Sequence, residues 1–390
     1  MNVQPIDTAP LPNQPPRRAL SLLAREWPLG ASLTTAGLFL AFGQRWLTDL
    51  SGMFWFCFLL SWLFLVILVS AFAIVRHAED LAHRLGEPLG TLILTLSVTG
   101  IEVMMIAAVM YAAPDSSSLA RDAMFAVVMI VLNGMVGLSL LLGGLRYREQ
   151  SYNLQGANAF LAVIVPLAVL GLVLPNFTVS SPGPTLSPLQ STFLIVMSIG
   201  LYGVFVAIQN RRHRDYFRMP PLAGSATARK WESLPEGTAG RAVVYGLMLL
   251  LAYLLPLVVL SEQLAIPLNY GIREFGAPPA LGGFLVAVLI LSPESLAAIR
   301  AALANELQRS INILLGSVLA TIGLTIPAVL TIGFFTGHAV VLGLNPANMT
   351  LLLLTLGLST LTFASSRTNV LQGAVHLLLF LAYLMLIFDK

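Results

Sequence analysis

Long apolar segments constrain the fold of this chain more than any other feature. Only 10% of its 390 residues are charged and 57% are hydrophobic, whereas an ordinary soluble domain carries about 25% charged residues. A transmembrane helix needs roughly 20 apolar residues, and strands of an outer-membrane barrel would be alternating stretches of about 10 residues. We therefore predict an all-α integral membrane protein with eleven transmembrane helices near 29–48, 51–75, 87–112, 122–145, 156–175, 188–209, 242–264, 279–302, 310–333, 345–364 and 369–388.

The basic residues indicate how these helices are oriented. If the N-terminus is cytoplasmic, all but four of the 21 Lys and Arg residues fall in cytoplasmic segments. The four on the other side are Arg45, Arg121, Arg273 and Lys390. Because cytoplasmic loops collect Lys and Arg, this one-sided distribution favours a cytoplasmic N-terminus. It also supports the helix count, since one missed span would invert every loop after it.

The longest polar interruption, 210–241, is a basic segment that divides the chain into two halves. With the first helix set aside, five apolar segments lie on each side of it, and an odd number means that the halves enter the membrane in opposite orientations. Inverted repeats of this kind build many secondary transporters. The predicted organisation is a cytoplasmic tail at 1–28, a first transmembrane helix at 29–50, a five-helix repeat at 51–209 with an α-repeat near 86–145, a cytoplasmic linker at 210–241, and a second five-helix repeat at 242–390 with an α-repeat near 279–333.

A single glutamate interrupts the middle of each predicted α-repeat helix. Glu102 lies about 12 residues after Gly90 and Glu294 about 13 after Leu281, or roughly 18 Å along a helix, so both lie near the bilayer centre. An ionised carboxylate there costs at least about 2.5–3.5 kcal/mol, and two facing each other repel. Such a pair is tolerated when it holds protons or a cation. The alternative is that each is a permanently protonated group that hydrogen-bonds between helices.

Further oxygen donors surround these glutamates in the sequence. Thr95 and Thr99 share a narrow helical face with Glu102, and hard cations prefer oxygen ligands. The spacing of Asn133, Gly137, Leu140 and Gly144 recurs at Asn312, Gly316, Leu319 and Gly323, although Gly and Leu are common enough that this match is weak. Pro293 frees a carbonyl one turn before it. The candidate cation- and proton-binding residues are Glu102, Glu294, Thr99, Thr95, Asn133, Asn312, Ser317 and Thr321, with Glu102 and Glu294 as the metal ligands.

Other chemistry is weakly represented. Cys57 is the one cysteine, which excludes a disulfide framework and a thiolate metal site within this sequence. No phosphate-binding loop or hydrolase motif occurs, so we expect no cofactor, and no basic patch with interleaved aromatic residues indicates nucleic acid. Glu79 and Asp80 are expected in a solvated cytoplasmic loop, and His376 is expected to be a packed histidine. The expected partners are small cations, protons and membrane lipid; the oligomeric state stays open.

Three stretches resemble the ChaA-type calcium/proton antiporters of the cation/calcium exchanger superfamily. They are "GEPLGTLILTLSVTGIEVMMIA" at 86–107, "SPESLAAIRAALANELQRSINILLGSVLATIGLTIPAV" at 292–329 and "RTNVLQGAVHLLLFLAYL" at 367–384. The resemblance implies two α-repeats, each with one essential membrane glutamate, which fall on Glu102 and Glu294. It also implies export of cytoplasmic Ca²⁺, and often Na⁺ or K⁺, in exchange for protons across a bacterial inner membrane. The Gly-Asn-x-x-Glu signature of eukaryotic-type exchangers is replaced by "SVTGIE" and "LSPE".

These observations favour a secondary active cation/proton antiporter and not an enzyme. A cation channel and a sodium/calcium-type exchanger are the alternatives that use the same glutamates. A membrane-embedded hydrolase would need a nucleophile or paired acids beside a water-filled cleft, and the polar helix faces here resemble ion ligands instead.

Overall fold

Residues 26–85, 89–112, 118–218, 239–337 and 340–389 are described by a computed structural model. Most of the predicted tail and of the linker after 218 lies outside these ranges. The described part is nearly all helical, and its eleven helices are α1 (Trp27–Thr48), α2 (Met53–Leu85), α3 (Leu89–Ala112), α4 (Leu119–Tyr147), α5 (Leu154–Leu172), α6 (Pro188–Ala207), α7 (Ala239–Glu274), α8 (Ala280–Leu303), α9 (Leu307–Thr336), α10 (Pro346–Thr362) and α11 (Val370–Phe388).

The all-α membrane architecture is confirmed, because eight of these helices are long and apolar enough to cross a membrane. Large apolar side chains such as Phe54 and Leu255 project from the bundle, 85% and 72% exposed. Such a surface would be unfavourable in water and suits lipid. That all eleven helices cross the membrane remains a prediction.

The second helix is longer than predicted. It continues to Leu85, because the segment after Val75 consists largely of good helix formers such as Ala, Leu, Arg and Glu. The interpretation of Glu79 and Asp80 as residues of a solvated loop was therefore wrong, since both lie in the last turns of a helix. α8 also runs without a break through Pro293.

Successive helices run in opposite directions, so their ends collect on two sides. On one side, β1 (Gln150–Ser151) after α4 pairs antiparallel with β2 (Arg367–Thr368) after α10. The Tyr147 hydroxyl also donates to the Leu303 carbonyl at the end of α8. We call this the basic side, because it includes the chain segments rich in Arg. On the opposite, distal side, the Leu344 amide before α10 bonds the Leu172 carbonyl at the end of α5. Consequently α2 starts on the distal side and α7 on the basic side, an inverted arrangement.

The buried side chains form two hydrophobic clusters that meet mainly at two helices, α3 and α8. One cluster is built mainly from α1, α2 and α7, and the other from α4, α5, α6, α9, α10 and α11. On α3, Ile101 belongs to the first cluster and Ile106 to the second. On α8, Leu289 and Leu291 are divided in the same way. The helices that carry Glu102 and Glu294 therefore lie at the boundary between the two packed bodies.

Each half contains one π-helical turn in its third helix. α4 is interrupted at Ile130–Met135 and α9 at Thr321–Thr325, and these turns begin 191 positions apart. Glu102 and Glu294 are 192 positions apart, which gives nearly the same register. Asn133 therefore corresponds to Leu324 or Thr325, and its sequence match with Asn312 was a coincidence of common Gly and Leu residues.

Candidate ion-binding site

The two mid-span glutamates line a single cavity of about 220 Å³. Glu102 comes from α3 and Glu294 from α8, so each half contributes one carboxylate. Glu102 is 4% exposed, Glu294 is half-buried, and the two are close enough to interact electrostatically. Like charges this close are unfavourable in a buried site, and a bound cation or protons would relieve the repulsion.

A hydrogen bond between the halves holds Glu102. The Thr321 hydroxyl donates to its Oε2 at 3.0 Å, and Thr321 is the first residue of the π turn in α9. A π turn displaces side chains from the regular helical stripe and is frequent at functional sites. The turn thus directs a hydroxyl of the second half toward the carboxylate of the first.

Four buried oxygens at this place have no hydrogen-bond partner among the described residues. They are Oε1 of Glu102, Oε2 of Glu294 and the hydroxyls of Thr99 and Thr325; Thr325 adjoins Glu102. Buried polar atoms are nearly always satisfied, so each orphan requires an explanation. Unpaired carboxylate and hydroxyl oxygens are the donors that a hard cation prefers, and this set fits one.

The set contains few acidic ligands. Among the described residues there is no group of three His, Cys, Asp or Glu side chains that could hold a metal. The two glutamates would therefore share the ion with neutral oxygens and water. A site with few charged ligands favours release over tight retention, which a transport site requires.

Most predicted site residues lie at this cavity. Thr95, Thr99, Asn312 and Ser317 line it together with both glutamates, and Thr321 reaches it through Glu102. Asn312 lies near its mouth, where its amide donates to the Phe217 carbonyl at 2.7 Å and its Oδ1 accepts from Gln308.

Asn133 is the predicted residue that points elsewhere. It is fully buried, its amide donates to the Thr355 hydroxyl at 2.8 Å, and its Oδ1 lies 3.3 Å from Nδ1 of His376. The other ring nitrogen of His376 lies 3.0 Å from the Thr362 hydroxyl. This polar network joins α4 to α10 and α11, and it makes His376 a packed, hydrogen-bonded histidine.

The cavity opens on the basic side. Glu79, Gln209 and Arg309 line its outer part: Glu79 and Arg309 lie at the basic-side ends of α2 and α9, and Gln209 follows the basic-side end of α6. Tyr202 on α6 forms part of the wall, together with Phe160 and Phe205. Sequence reasoning missed Glu79, Tyr202 and Thr325. Thr325 carried a signal, because it follows Thr321 by four residues and so shares its helix face.

Two inverted halves that each place one carboxylate in a shared mid-span cavity define a secondary transporter of the inverted-repeat class. The sequence matches the sodium/calcium exchanger protein family over residues 54–210 and 243–388, and the chain belongs to this family.

Two curated proteins are similar over most of their length. The chain is 44% identical over 318 residues to the putative ionic transporter y4hA of Sinorhizobium fredii, which covers 81% of this chain and 85% of that protein. It is 41% identical over 322 residues to the sodium-potassium/proton antiporter ChaA of Escherichia coli K12, covering 83% and 86%.

Solved structures share the fold at low sequence identity. Native YfkE superimposes with a TM-score of 0.69 at 17% identity, covering 93% of this chain and 99% of that chain. The H⁺/Ca²⁺ exchanger CAX gives a TM-score of 0.66 at 15% identity, covering 94% and 88%.

Proposed function

We propose that this protein is a cation/proton antiporter that exports cytoplasmic cations in exchange for protons by alternating access. The observation that carries the proposal is the pair Glu102 and Glu294, one from each inverted half, lining one cavity that opens on one side. The names of two similar proteins agree with it, since ChaA is a sodium-potassium/proton antiporter and CAX an H⁺/Ca²⁺ exchanger.

The proposed principal cation is Ca²⁺, with Na⁺ and K⁺ as further substrates. One Ca²⁺ or two protons neutralise two carboxylates, so either loaded form presents no net charge to the hydrocarbon. The orphan oxygens of Thr99 and Thr325 would complete the ligand shell with water. Glu102 and Glu294 are the residues that bind both the cation and the protons.

Coupling follows from the cost of the empty state. Without a cation or protons, two charges stand unpaired near the bilayer centre, where each costs at least about 2.5–3.5 kcal/mol. Reorientation of the empty site is then slow in comparison with either loaded form. The protein would therefore exchange ions and not leak them.

The same reasoning assigns the sides. The basic side is proposed to face the cytoplasm of a bacterial cell, with the N-terminus on that side and the protein in the inner membrane. Since the cavity opens there, the structure is proposed to represent an inward-facing state. A channel would need a continuous pore, whereas in the described residues the distal half of α4 is packed closed around Phe125 and Met129.

The test uses purified protein in vesicles that enclose a pH-sensitive dye. Addition of Ca²⁺, Na⁺, K⁺ or Mg²⁺ outside should drive proton movement in the wild type, with Ca²⁺ strongest. Glu102→Gln and Glu294→Gln should each reduce this exchange about 100-fold or more, since the neutral amide neither releases a proton nor balances the cation charge.

Glu149→Gln is the matched control, because Glu149 is exposed at the basic side and pairs only loosely with Arg367 at 3.3 Å. It should retain wild-type exchange. Exchange that persists in both site variants would overturn the proposal, and cation flux without counter-movement of protons would indicate a channel.

A further inference from the structure

A third carboxylate, besides the central pair, is buried in the first turn of α4, on the distal side. Asp122 is 8% exposed, and its Oδ1 accepts from Nε and a terminal nitrogen of Arg121, both at 2.8 Å. The Ser118 hydroxyl donates to its other oxygen at 3.3 Å. Arg121 also donates to the Gly343 carbonyl at 3.1 Å, in the segment between α9 and α10. A buried ion pair is a poor source of stability in itself, so its position needs another reason.

The repeat register supplies that reason. Shifted by 191 positions, Arg121 and Asp122 of α4 correspond to Asn312 and Ile313 of α9, which line the open cavity. Continuing along the same face, Phe125, Ala126 and Met129 correspond to three further lining residues, Gly316, Ser317 and Ala320. The distal half of α4 thus corresponds to the α9 segment that lines the open cavity, but it is packed against neighbouring helices.

Aromatic packing seals the distal half of α4. Phe125 and Tyr383 meet edge to face at 5.4 Å, and Tyr383 is 3% exposed. Tyr383 lies 13 residues after the start of α11 and Tyr202 14 residues after the start of α6, so the two tyrosines occupy similar positions in inverted helices, and Tyr202 lines the open cavity. α8 closes the seal at Gly283, where a Cβ would lie 2.8 Å from the Ala123 nitrogen. Only a residue without a side chain permits this approach.

We propose that Asp122 is an additional cation-binding residue in the distal half of the transport pathway. Arg121, paired with it, keeps the distal half closed in the state seen here. When the distal half opens, α4 separates from α8 and Arg121 leaves the carboxylate. Asp122 then faces water and attracts the hard cation that leaves or enters the Glu102 and Glu294 site. This inference rests on the proposed antiport function.

The pathway has an outer part on each side of the central glutamates, and Asp122 would bind cations only in the distal one. On the basic side, the exposed Glu79 lines the corresponding outer part of the cavity and interacts electrostatically with Glu294. Each half-pathway would therefore have one carboxylate outside the central pair. A charged cleft raises the local concentration of its counter-ion about 10-fold or more, so loss of Asp122 should affect only the face it serves.

The experiment measures the half-saturating Ca²⁺ concentration for exchange at each face, in right-side-out and everted membrane vesicles. Asp122→Asn should raise it about 10-fold at the distal face and less than about 2-fold at the basic face. Asp122→Glu should restore the distal value. An equal change at both faces, or no change at the distal face, would overturn the proposal.

Thiol labelling tests the role of Arg121 without relying on transport. Ala126 is buried. In a Cys57→Ala background, the Ala126→Cys variant should therefore react slowly with a membrane-impermeant thiol reagent added at the distal face. Arg121→Gln should accelerate labelling about 10-fold, because the distal half opens more often. Arg45→Gln, at the distal end of α1, is the matched control and should leave the rate unchanged. Unaltered labelling in Arg121→Gln would contradict the closing role.

The two proposals fail in different ways. If the proposed antiport function is wrong, no cation drives proton movement in the wild type, and Glu102→Gln changes nothing. If only the role of Asp122 is wrong, the wild type exchanges ions and Glu102→Gln abolishes exchange at both faces, while Asp122→Asn shows no difference between faces.

Discussion

Glu102 and Glu294 occupy related positions in the two halves, yet their surroundings differ. Glu102 is 4% exposed and is held by the Thr321 hydroxyl at 3.0 Å. Glu294 is half-buried, and its Oε2, like Oε1 of Glu102, has no partner among the described residues. The position related to Thr321 is Met129 or Ile130, and neither can donate such a hydrogen bond. The inverted repeat therefore supplies two equal charges in unequal surroundings: Glu102 is anchored to the opposite half by Thr321, and Glu294 is more exposed and adjoins Ser317 of its own half.

The largest expected difference between them concerns side-chain length. Glu102→Asp should reduce exchange about 100-fold and Glu294→Asp only about 10-fold. The shortened side chain at position 102 withdraws from Thr321, and a buried charge that loses a hydrogen bond costs about 1.5–3 kcal/mol, whereas position 294 already lacks this anchor. Exchange rates of both variants would be measured in dye-loaded vesicles. A larger loss in Glu294→Asp than in Glu102→Asp would show that exchange does not depend more strongly on the position of Glu102.

Removing the anchor itself should have a smaller effect. Thr321→Val keeps the side-chain shape and removes the hydroxyl, so we expect about 10-fold weaker cation binding, corresponding to about 1.4 kcal/mol. Thr321→Ser retains the donor and should bind the cation nearly as the wild type does. Isothermal titration with Ca²⁺ would compare the three proteins, and equal affinities would mean that the hydrogen bond does not position Glu102.

A substitution at Thr325 tests whether this residue is a cation ligand or only a packing residue. Its hydroxyl is buried without a partner among the described residues, an arrangement that costs about 1 kcal/mol or more. Thr325→Val should therefore raise the thermal unfolding temperature of the cation-free protein while weakening Ca²⁺ binding about fivefold.

Asn133→Ala, in the other half, is the informative counterpart. It should lower stability through the lost bonds to Thr355 and His376 and leave Ca²⁺ affinity unchanged. A stability loss without an affinity change in Thr325→Val would place Thr325 outside the ligand shell.

The smallest effect concerns a carboxylate outside both halves. Glu26 precedes α1; its Oε2 lies 2.8 Å from Nε2 of His77 and accepts from the Tyr253 hydroxyl at 2.9 Å. Burial disfavours the charged form, but these hydrogen bonds outweigh it and hold the pKa of Glu26 below its ordinary 4.5. A lowered pKa stabilises the fold above pH 4.5, and this contribution is lost as the pH falls through the lowered value.

We therefore expect Glu26→Gln to lower the free energy of unfolding at neutral pH by about 1 kcal/mol or less. The variant should unfold at a slightly lower temperature than the wild type. The difference should disappear in acid below the lowered pKa. Thermal unfolding of both proteins in detergent across this range is the measurement, and a difference that persists or grows in acid would contradict the assignment. Unlike the site carboxylates, Glu26 should leave exchange unaffected.

The sequence was most informative where the polarity of a residue or segment does not fit its expected surroundings. Eleven apolar runs predicted the helices because nothing but a membrane accommodates them, and Glu102 and Glu294 were predictable because a lone charge in such a run is costly. Residues that reach the cavity from separate helices gave no such signal. Tyr202 is one apolar residue among many in α6, and its place in the wall depends on how α6 packs against α9.

The register of the second α-repeat was also beyond sequence reasoning. Gly and Leu recur at helical spacing throughout a membrane protein, so Asn133 and Asn312 matched by chance. The π turns at Ile130–Met135 and Thr321–Thr325 leave no trace in a pattern read with a period of 3.6 residues, because each adds a residue to one turn. Glu79 was misplaced for a simpler reason, since polar residues at a helix end resemble a loop.

Those π turns make the number of residues in α9 as consequential as their identity. Each extra residue is accommodated locally, so removing one residue between Thr321 and Thr325 would restore the ordinary α-helical pitch. The segments before and after the cut would keep their present faces, because the wider turn absorbs the extra residue, and only the side chains within the turn would move. The hydroxyls of Thr321 and Thr325 would no longer be directed at Glu102 as they are now, although no chemical group at the cavity had been exchanged for another.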